Sequence, residues 1–112
     1  IEENIRSITY AQDKVGIVTD NVEGGDPYKL RIYDREGSPV FEKTFNYQYT
    51  GFDIDGDLVL LYNDSSCKVY NMTGTEKYNG TFDFTVSKVS AGRFPGTLLV
   101  MGPQKMTEIK LQ

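Results

Sequence analysis

Apolar residues in this chain come in short runs, and most runs alternate with polar positions. In "SCKVYN" (66–71) Cys67 and Val69 point one way and Lys68 and Tyr70 the other, the period of two that marks a β-strand. The run Leu58-Val59-Leu60-Leu61 is apolar throughout, as a strand buried on both faces between layers must be. Val15-Gly16-Ile17-Val18 and Leu98-Leu99-Val100-Met101 read the same way. No stretch carries the period of an amphipathic helix. Gly and Pro fall between the runs, in "NVEGGDP" (21–27) and "AGRFPGT" (91–97), which read as loops. The pattern predicts an all-β chain.

The runs also repeat. "YKLRIYDREGSPVFEKTF" (28–45) lies over "SCKVYNMTGTEKYNGTF" (66–82), with Ile32 on Val69, Gly37 on Gly74 and Phe45 on Phe82, each 37 positions apart. Upstream, "DKVGIVTDN" (13–21) matches "GDLVLLYND" (56–64) at a spacing of 43, which places about six extra residues of the first unit in loop 21–27. A third copy follows, with "GTLLVMG" (96–102) for "DLVLLYN" and "MTEIKLQ" (106–112) for "SCKVYNM". Ile32, Val69 and Ile109 are expected to be equivalent core positions, and likewise Leu60 and Val100. Each unit reads as four short strands, in the second roughly 49–54, 57–62, 66–71 and 76–82. In "IYDREG" and "VYNMTG" the Asp or Asn accepts hydrogen bonds from a tight turn and the Gly takes a positive φ.

Four-stranded antiparallel units of about 40 residues are the signature of β-propeller blades. The expected units are 5–46, 48–83 and 84–112, about three blades of a partial propeller, with a β-sandwich or small barrel as the alternative. "LRIYDREGSPVFEKTF" and "CKVYNMTGTEKYNGTF" resemble the degenerate propeller repeats grouped with WD40 and quinoprotein-like blades. More narrowly, they resemble propeller domains of membrane-anchored proteins of unknown function from Gram-positive gut bacteria. The resemblance implies a fold and a cell-surface location, tethered by a segment outside this chain. It implies no catalytic residues, and the Gly-His and Trp-Asp of true WD40 repeats are missing because the chain has neither His nor Trp. Three blades do not close a ring, which takes about four to eight. The expected partners therefore include the rest of the same chain or further copies, and the short run "IEENI" could add a strand to a neighbour. Ile1 reads as a boundary or cleavage product, not a natural start.

Composition narrows the chemistry. The 112 residues carry a net charge of −4, and the twelve Lys and Arg are scattered singly. That excludes nucleic acid, which needs clustered cations to neutralise phosphates, and disfavours an anionic membrane surface. One Cys excludes an internal disulfide, and Cys67, in phase with Val69, reads as a small buried hydrophobe. The absence of His excludes Ser-His-Asp and Cys-His nucleophile systems. Three glycosylation sequons, at Asn63, Asn71 and Asn79, read as turn chemistry.

The most chemically suggestive stretch is "FDIDGD" (52–57). Asp53, Asp55 and Asp57 occupy positions 1, 3 and 5 of a calcium loop, but Leu58 stands where that loop needs Gly and Asp64 where it needs Glu. These three acids are weak metal candidates, and Asp55-Gly56 reads instead as a type I′ hairpin turn. No cofactor is expected. The functional expectation is a non-catalytic binding or scaffold module with a protein or carbohydrate partner. Its candidate contacts are Glu23 and Asp26 of the long loop, Tyr28 beside it, and Tyr33 and Tyr70 as surface aromatics. The alternative is part of a glycosidase- or lyase-like enzyme, with paired carboxylates on inner strands and loops completed by further blades.

Overall fold

Alternation and turn chemistry resolve into eleven strands in the structure, a computed structural model that describes residues 4–111. Ile1, most of the "IEENI" run and Gln112 lie outside the described residues. The first sheet holds β1 (Ile5–Tyr10), β2 (Lys14–Asp20), β3 (Tyr28–Asp34) and β4 (Pro39–Phe45) in chain order. The second holds β5 (Gly51–Asp55), β6 (Leu58–Tyr62), β7 (Ser66–Asn71) and β8 (Glu76–Thr81). The third holds β9 (Lys88–Ala91), β10 (Thr97–Met101) and β11 (Met106–Lys110). Every pairing is antiparallel and joins chain neighbours.

Two cores hold the three sheets together. Val18, Leu30, Ile32 and Phe45 of the first sheet meet Ile54, Val59, Leu61 and Tyr70 of the second. On the opposite face of the second sheet, Leu58, Leu60, Cys67 and Val69 meet Val89, Leu98 and Val100 of the third. The run Leu58–Leu61 is thus apolar throughout because each face of β6 enters a different core. The corresponding runs in β2 and β10 are covered on one face only, so Val15, Ile17 and Leu99 remain partly exposed. The described residues form layers of antiparallel sheet without a closed ring or radial symmetry, so the all-β expectation is met in its coarser, layered form.

The repeat is real but its phase needs correcting. Backbone pairing places Gly16 opposite Ile32 and Leu60 opposite Val69, so β2 and β6 are related by 44 positions, not 43. It also sets Leu99 opposite Glu108, which makes Glu108, not Ile109, the counterpart of Val69. Ile109 packs toward the second sheet, and Leu60 matches Leu99, not Val100. A slip of one residue reverses every side chain on a strand. A seven-residue loop, Asn21 to Pro27, hid the slip in the first unit.

Local chemistry fixes the turns. Asp34 Oδ1 accepts from the Glu36 and Ser38 amides at 3.0 and 2.9 Å. Asn71 Oδ1 accepts from Thr73 and Thr75 at 3.0 and 2.9 Å, and Gly37 and Gly74 take the positive φ that both corners require. Asn63 likewise caps a turn through Ser65 and Ser66, whereas Asn79 lies within β8 opposite Lys68 and serves no turn. The β5–β6 hairpin closes through Gly56-Asp57, with Asp55 opposite Leu58. Only Gly56 has positive φ (63°), the pattern of a type II′ turn and not the type I′ turn expected, which needs positive φ at both central residues.

Candidate functional site

The acids of "FDIDGD" are brought to the side of the molecule where β1, β5 and β9, the first strands of successive sheets, lie next to one another. There they join sheets and do not converge. Asp53 Oδ1 accepts from Thr9 Oγ1 of the first sheet at 3.4 Å and from its neighbour's amide, Ile54 N, at 2.9 Å. Its Oδ2 lies 3.6 Å from Lys88 Nζ of the third sheet. Asp55 Oδ2 accepts from the Ala91 amide of β9 at 2.8 Å. A charged acceptor on a backbone N–H is among the stronger hydrogen bonds in proteins. Among the described residues no three His, Cys, Asp or Glu side chains gather in a way that would hold a metal ion.

The long loop is organised from within. Asn21 Nδ2 donates to the carbonyls of Gly24 and Asp26 at 3.0 and 2.8 Å, and Asn21 N donates to Pro27 O. Glu23 pairs at 2.7 Å with Lys29, whose side chain is only 6% exposed. Glu42 also lies near that ammonium, at 3.8 Å. Asp26 accepts from Thr44 Oγ1 at 3.0 Å. Glu23 and Asp26 therefore anchor the loop to β3 and β4. Tyr28 packs its ring against Phe45 and Tyr49, at 5.4 and 5.9 Å between centroids, and its hydroxyl donates to Gln48 Oε1 at 3.4 Å.

The two tyrosines expected on the surface part company. Tyr70 is 1% exposed and belongs to the core between the first two sheets, which corrects its assignment as a surface aromatic. Burial pushes its phenol up to about 12, with Glu76 and Asp26 adding to the effect. Tyr33 holds the equivalent place in the first sheet but is only half-buried, on the face away from the second sheet. Cys67 is fully buried, and burial pushes its thiol up to about 12, far from the reactive thiolate range.

Pairing register shows what that outer face is. Ile8, Tyr10, Val15, Ile17 and Tyr33 stand where Phe52, Ile54, Val59, Leu61 and Tyr70 stand in the second sheet. The latter five all pack into the core against the first sheet. Their counterparts face outward, with Ile8 47% and Tyr10 72% exposed. The outer face of the third sheet is more mixed. Leu99 and Met106 there line a hollow of about 310 Å³ beside the Arg93–Glu108 ion pair.

A second feature, missed from sequence, lies between β8 and the outer edge of β11, with which no strand pairs among the described residues. Tyr78, Phe82, Phe84, Thr107 and Ile109 line a groove of about 610 Å³. The Tyr78 and Phe82 rings stack at 6.3 Å, Phe84 lies 5.5 Å from Phe82, and Lys105 Nζ sits 5.3 Å over Phe84. The signal was available in the repeat, because "YNGTF" and "FEKTF" share two aromatics four residues apart.

Known proteins resemble the chain as follows. The model of a family of unknown function (DUF5711) matches residues 1–111. No curated protein matches. Among solved structures, the crystal structure of HIRA(644-1017) superposes with a TM-score of 0.65 at 12% sequence identity, over 95% of this chain and 34% of that one. Identity at that level speaks to the fold alone, and the chain spans about a third of the HIRA fragment's length.

Proposed function

The chain belongs to this family of unknown function, DUF5711, and we propose that it is a non-catalytic binding or scaffold module, a partial β-propeller whose open sheet faces receive further sheets of the same kind. The observation that carries the proposal is the outer face of the first sheet. It presents at five register positions the apolar set that the second sheet buries at the same positions. Exposed apolar surface of that extent, matched to a known packing face, is an association surface. The partner is another four-stranded sheet, from a further copy or from more of the same protein. Loop 21–27, tied to its own backbone by Asn21 and to β3 by the Glu23–Lys29 pair, is the candidate element for contact with a protein or carbohydrate.

Sedimentation at micromolar concentration tests this. Association that Ile17→Glu abolishes, with the variant melting as the dispersed monomer of the unaltered chain does at high dilution, is the expected result. A sharp monomer, indifferent to that substitution, would sink the proposal and favour a self-contained sandwich.

One observation favours the carboxylate-enzyme reading. Asp53 is 34% exposed beside Lys88, at the side where the first strands meet, and enzymes of propeller type place their acids on inner strands. Under that reading Asp53→Asn abolishes hydrolysis of a glycan substrate while leaving the melting temperature in place. Under the binding-module reading it loosens the contacts to Thr9 and Lys88 and lowers stability.

A further inference from the structure

The three sheets stack through a repeated contact. The second strand of each sheet meets the first strand of the next, β2 against β5 and β6 against β9. Pairing register puts Gly16 of β2 and Leu60 of β6 at the same place, because each stands opposite the matching residue of its third strand, Ile32 and Val69. It likewise puts Phe52 and Ile54 of β5 where Val89 and Ala91 stand in β9.

The two contacts are filled in complementary ways. A Cβ on Gly16 would lie 2.9 Å from Phe52 Cζ and 3.1 Å from both Ile54 Cδ1 and Ile32 Cδ1, closer than non-bonded carbons pack. The ring and the isoleucine of the next sheet thus fill the space that a side chain at position 16 would need. In the second contact the large residue is on the other side. Leu60 is fully buried in one core with Val89, and Ala91 packs against that core. Exchanging the partners would crowd Leu60 against Phe52 and Ile54, and would leave a void between Gly16 and the small pair Val89 and Ala91. Overpacking and cavities both cost stability.

The outer faces carry the same two kinds of residue. Ile8 and Tyr10 of β1 hold the places of Phe52 and Ile54, one aromatic ring and one isoleucine in the reverse order. Leu99 of β10 holds the place of Leu60. We infer that the outer face of the first sheet selects a sheet that carries glycine at the place of Gly16, and that Ile8 and Tyr10 make the selection. A sheet with leucine at that place, of which the third sheet is an example, fits there poorly. This rests on the reading of that face as one that receives a sheet, and adds which kind of sheet it takes.

Sedimentation of the 112-residue protein and its variants tests this, because another copy can offer the outer face of its third sheet, with Leu99, to Ile8 and Tyr10. Two variants relieve the mismatch, one from each side. Leu99→Gly gives the third sheet its glycine, and Ile8→Val/Tyr10→Ala gives the first sheet the bulk of Val89 and Ala91. Each is expected to tighten association roughly tenfold or more. A surface that adheres by apolar area alone would weaken in both, since both remove apolar atoms. The Arg93–Glu108 pair beside Leu99 is common to every chain compared, so the difference reads the fit. Should Leu99→Gly not fold, Ile8→Val/Tyr10→Ala decides alone, because Ile8 and Tyr10 belong to neither core. Inside the chain, Gly16→Leu is expected to lower the melting temperature, and Phe52→Val/Ile54→Ala added to it to raise it again. Association unchanged or weakened in the variants, while the unaltered chain still associates, overturns the inference and leaves the association surface standing. A triple variant that melts below Gly16→Leu overturns it as well. Monomers throughout sink the reading of the face, and the inference with it.

Discussion

Leu60→Ala and Leu99→Ala are the same change at the same register position of neighbouring sheets, and they should differ sharply. Leu60 is fully buried, on the face of β6 that meets Cys67, Val69, Val89, Leu98 and Val100. Truncation to Ala removes about three methylene equivalents, roughly 2.4 kcal/mol of transfer free energy, and leaves a cavity between two sheets that only partly relaxes. The expected loss is about 3–4 kcal/mol. For a domain of 112 residues the unfolding entropy near the midpoint is roughly 0.24 kcal/mol/K, so the melting temperature should fall by about 12–17 °C. Leu99 faces outward on β10 and is partly exposed, so its loss in the dispersed monomer should stay under about 1 kcal/mol. Urea unfolding followed by circular dichroism reads both, and an unchanged m-value shows that the folded and unfolded states are otherwise the same. A Leu60→Ala loss below about 1 kcal/mol, or a Leu99→Ala loss equal to it, would refute the assignment of β6 to two cores and of β10 to one.

Asp55→Ala leaves the Ala91 amide without its acceptor and should cost about 1.5–3 kcal/mol, whereas Asp57→Ala in the adjoining turn should cost under about 0.5 kcal/mol; parallel urea melts distinguish them. Millimolar calcium against chelator should move the melting temperature by less than a degree, since no acids gather around a common point among the described residues; a ligand at a hundred times its Kd would add about 2.7 kcal/mol. Alkali should unfold the protein through Cys67 and Tyr70. Both have folded pKa values raised above their unfolded values of 9.0 and 10.0, so their contribution is complete below about pH 9. It falls by about 1.4 kcal/mol per pH unit per group as pH rises toward about 12. Cys67→Ala should make the decline begin about one pH unit higher, and a melt that stays flat from pH 9 to 11 contradicts the burial argument.

Much of the fold was written locally. Strand limits follow from alternation, and the corners at Asp34 and Asn71 from side chains that bond their own turns. What escaped was anything set by a partner distant in the chain. Alternation shows that Tyr70 and Val69 face opposite ways, but not that a second sheet covers Tyr70; its repeat mate Tyr33 has the same pattern and no cover. Asp53 and Asp55 looked like a metal loop or a hairpin because their real partners, Thr9, Lys88 and Ala91, lie 35 to 44 residues away. The one-residue error in the phase of β2 came from the loop insertion, since a pattern of apolar residues on both faces of a strand carries no phase of its own.

The placement of β6 between two cores has a consequence for how the chain folds. Every strand pairs only with its neighbours in sequence, so each sheet can form from local hairpins with little loop-closure entropy, and folding should be quick for an all-β domain. Between sheets the coupling is nearest-neighbour, as in a short linear array: the first and third each lean on the second, and only the second has two supports. The middle sheet should therefore open last, with the β6 amides showing the slowest hydrogen exchange, and the third sheet, three strands wide and held on one face, should open first. A fault in the middle sheet would release both ends at once, whereas a fault in either end would leave the other two sheets standing.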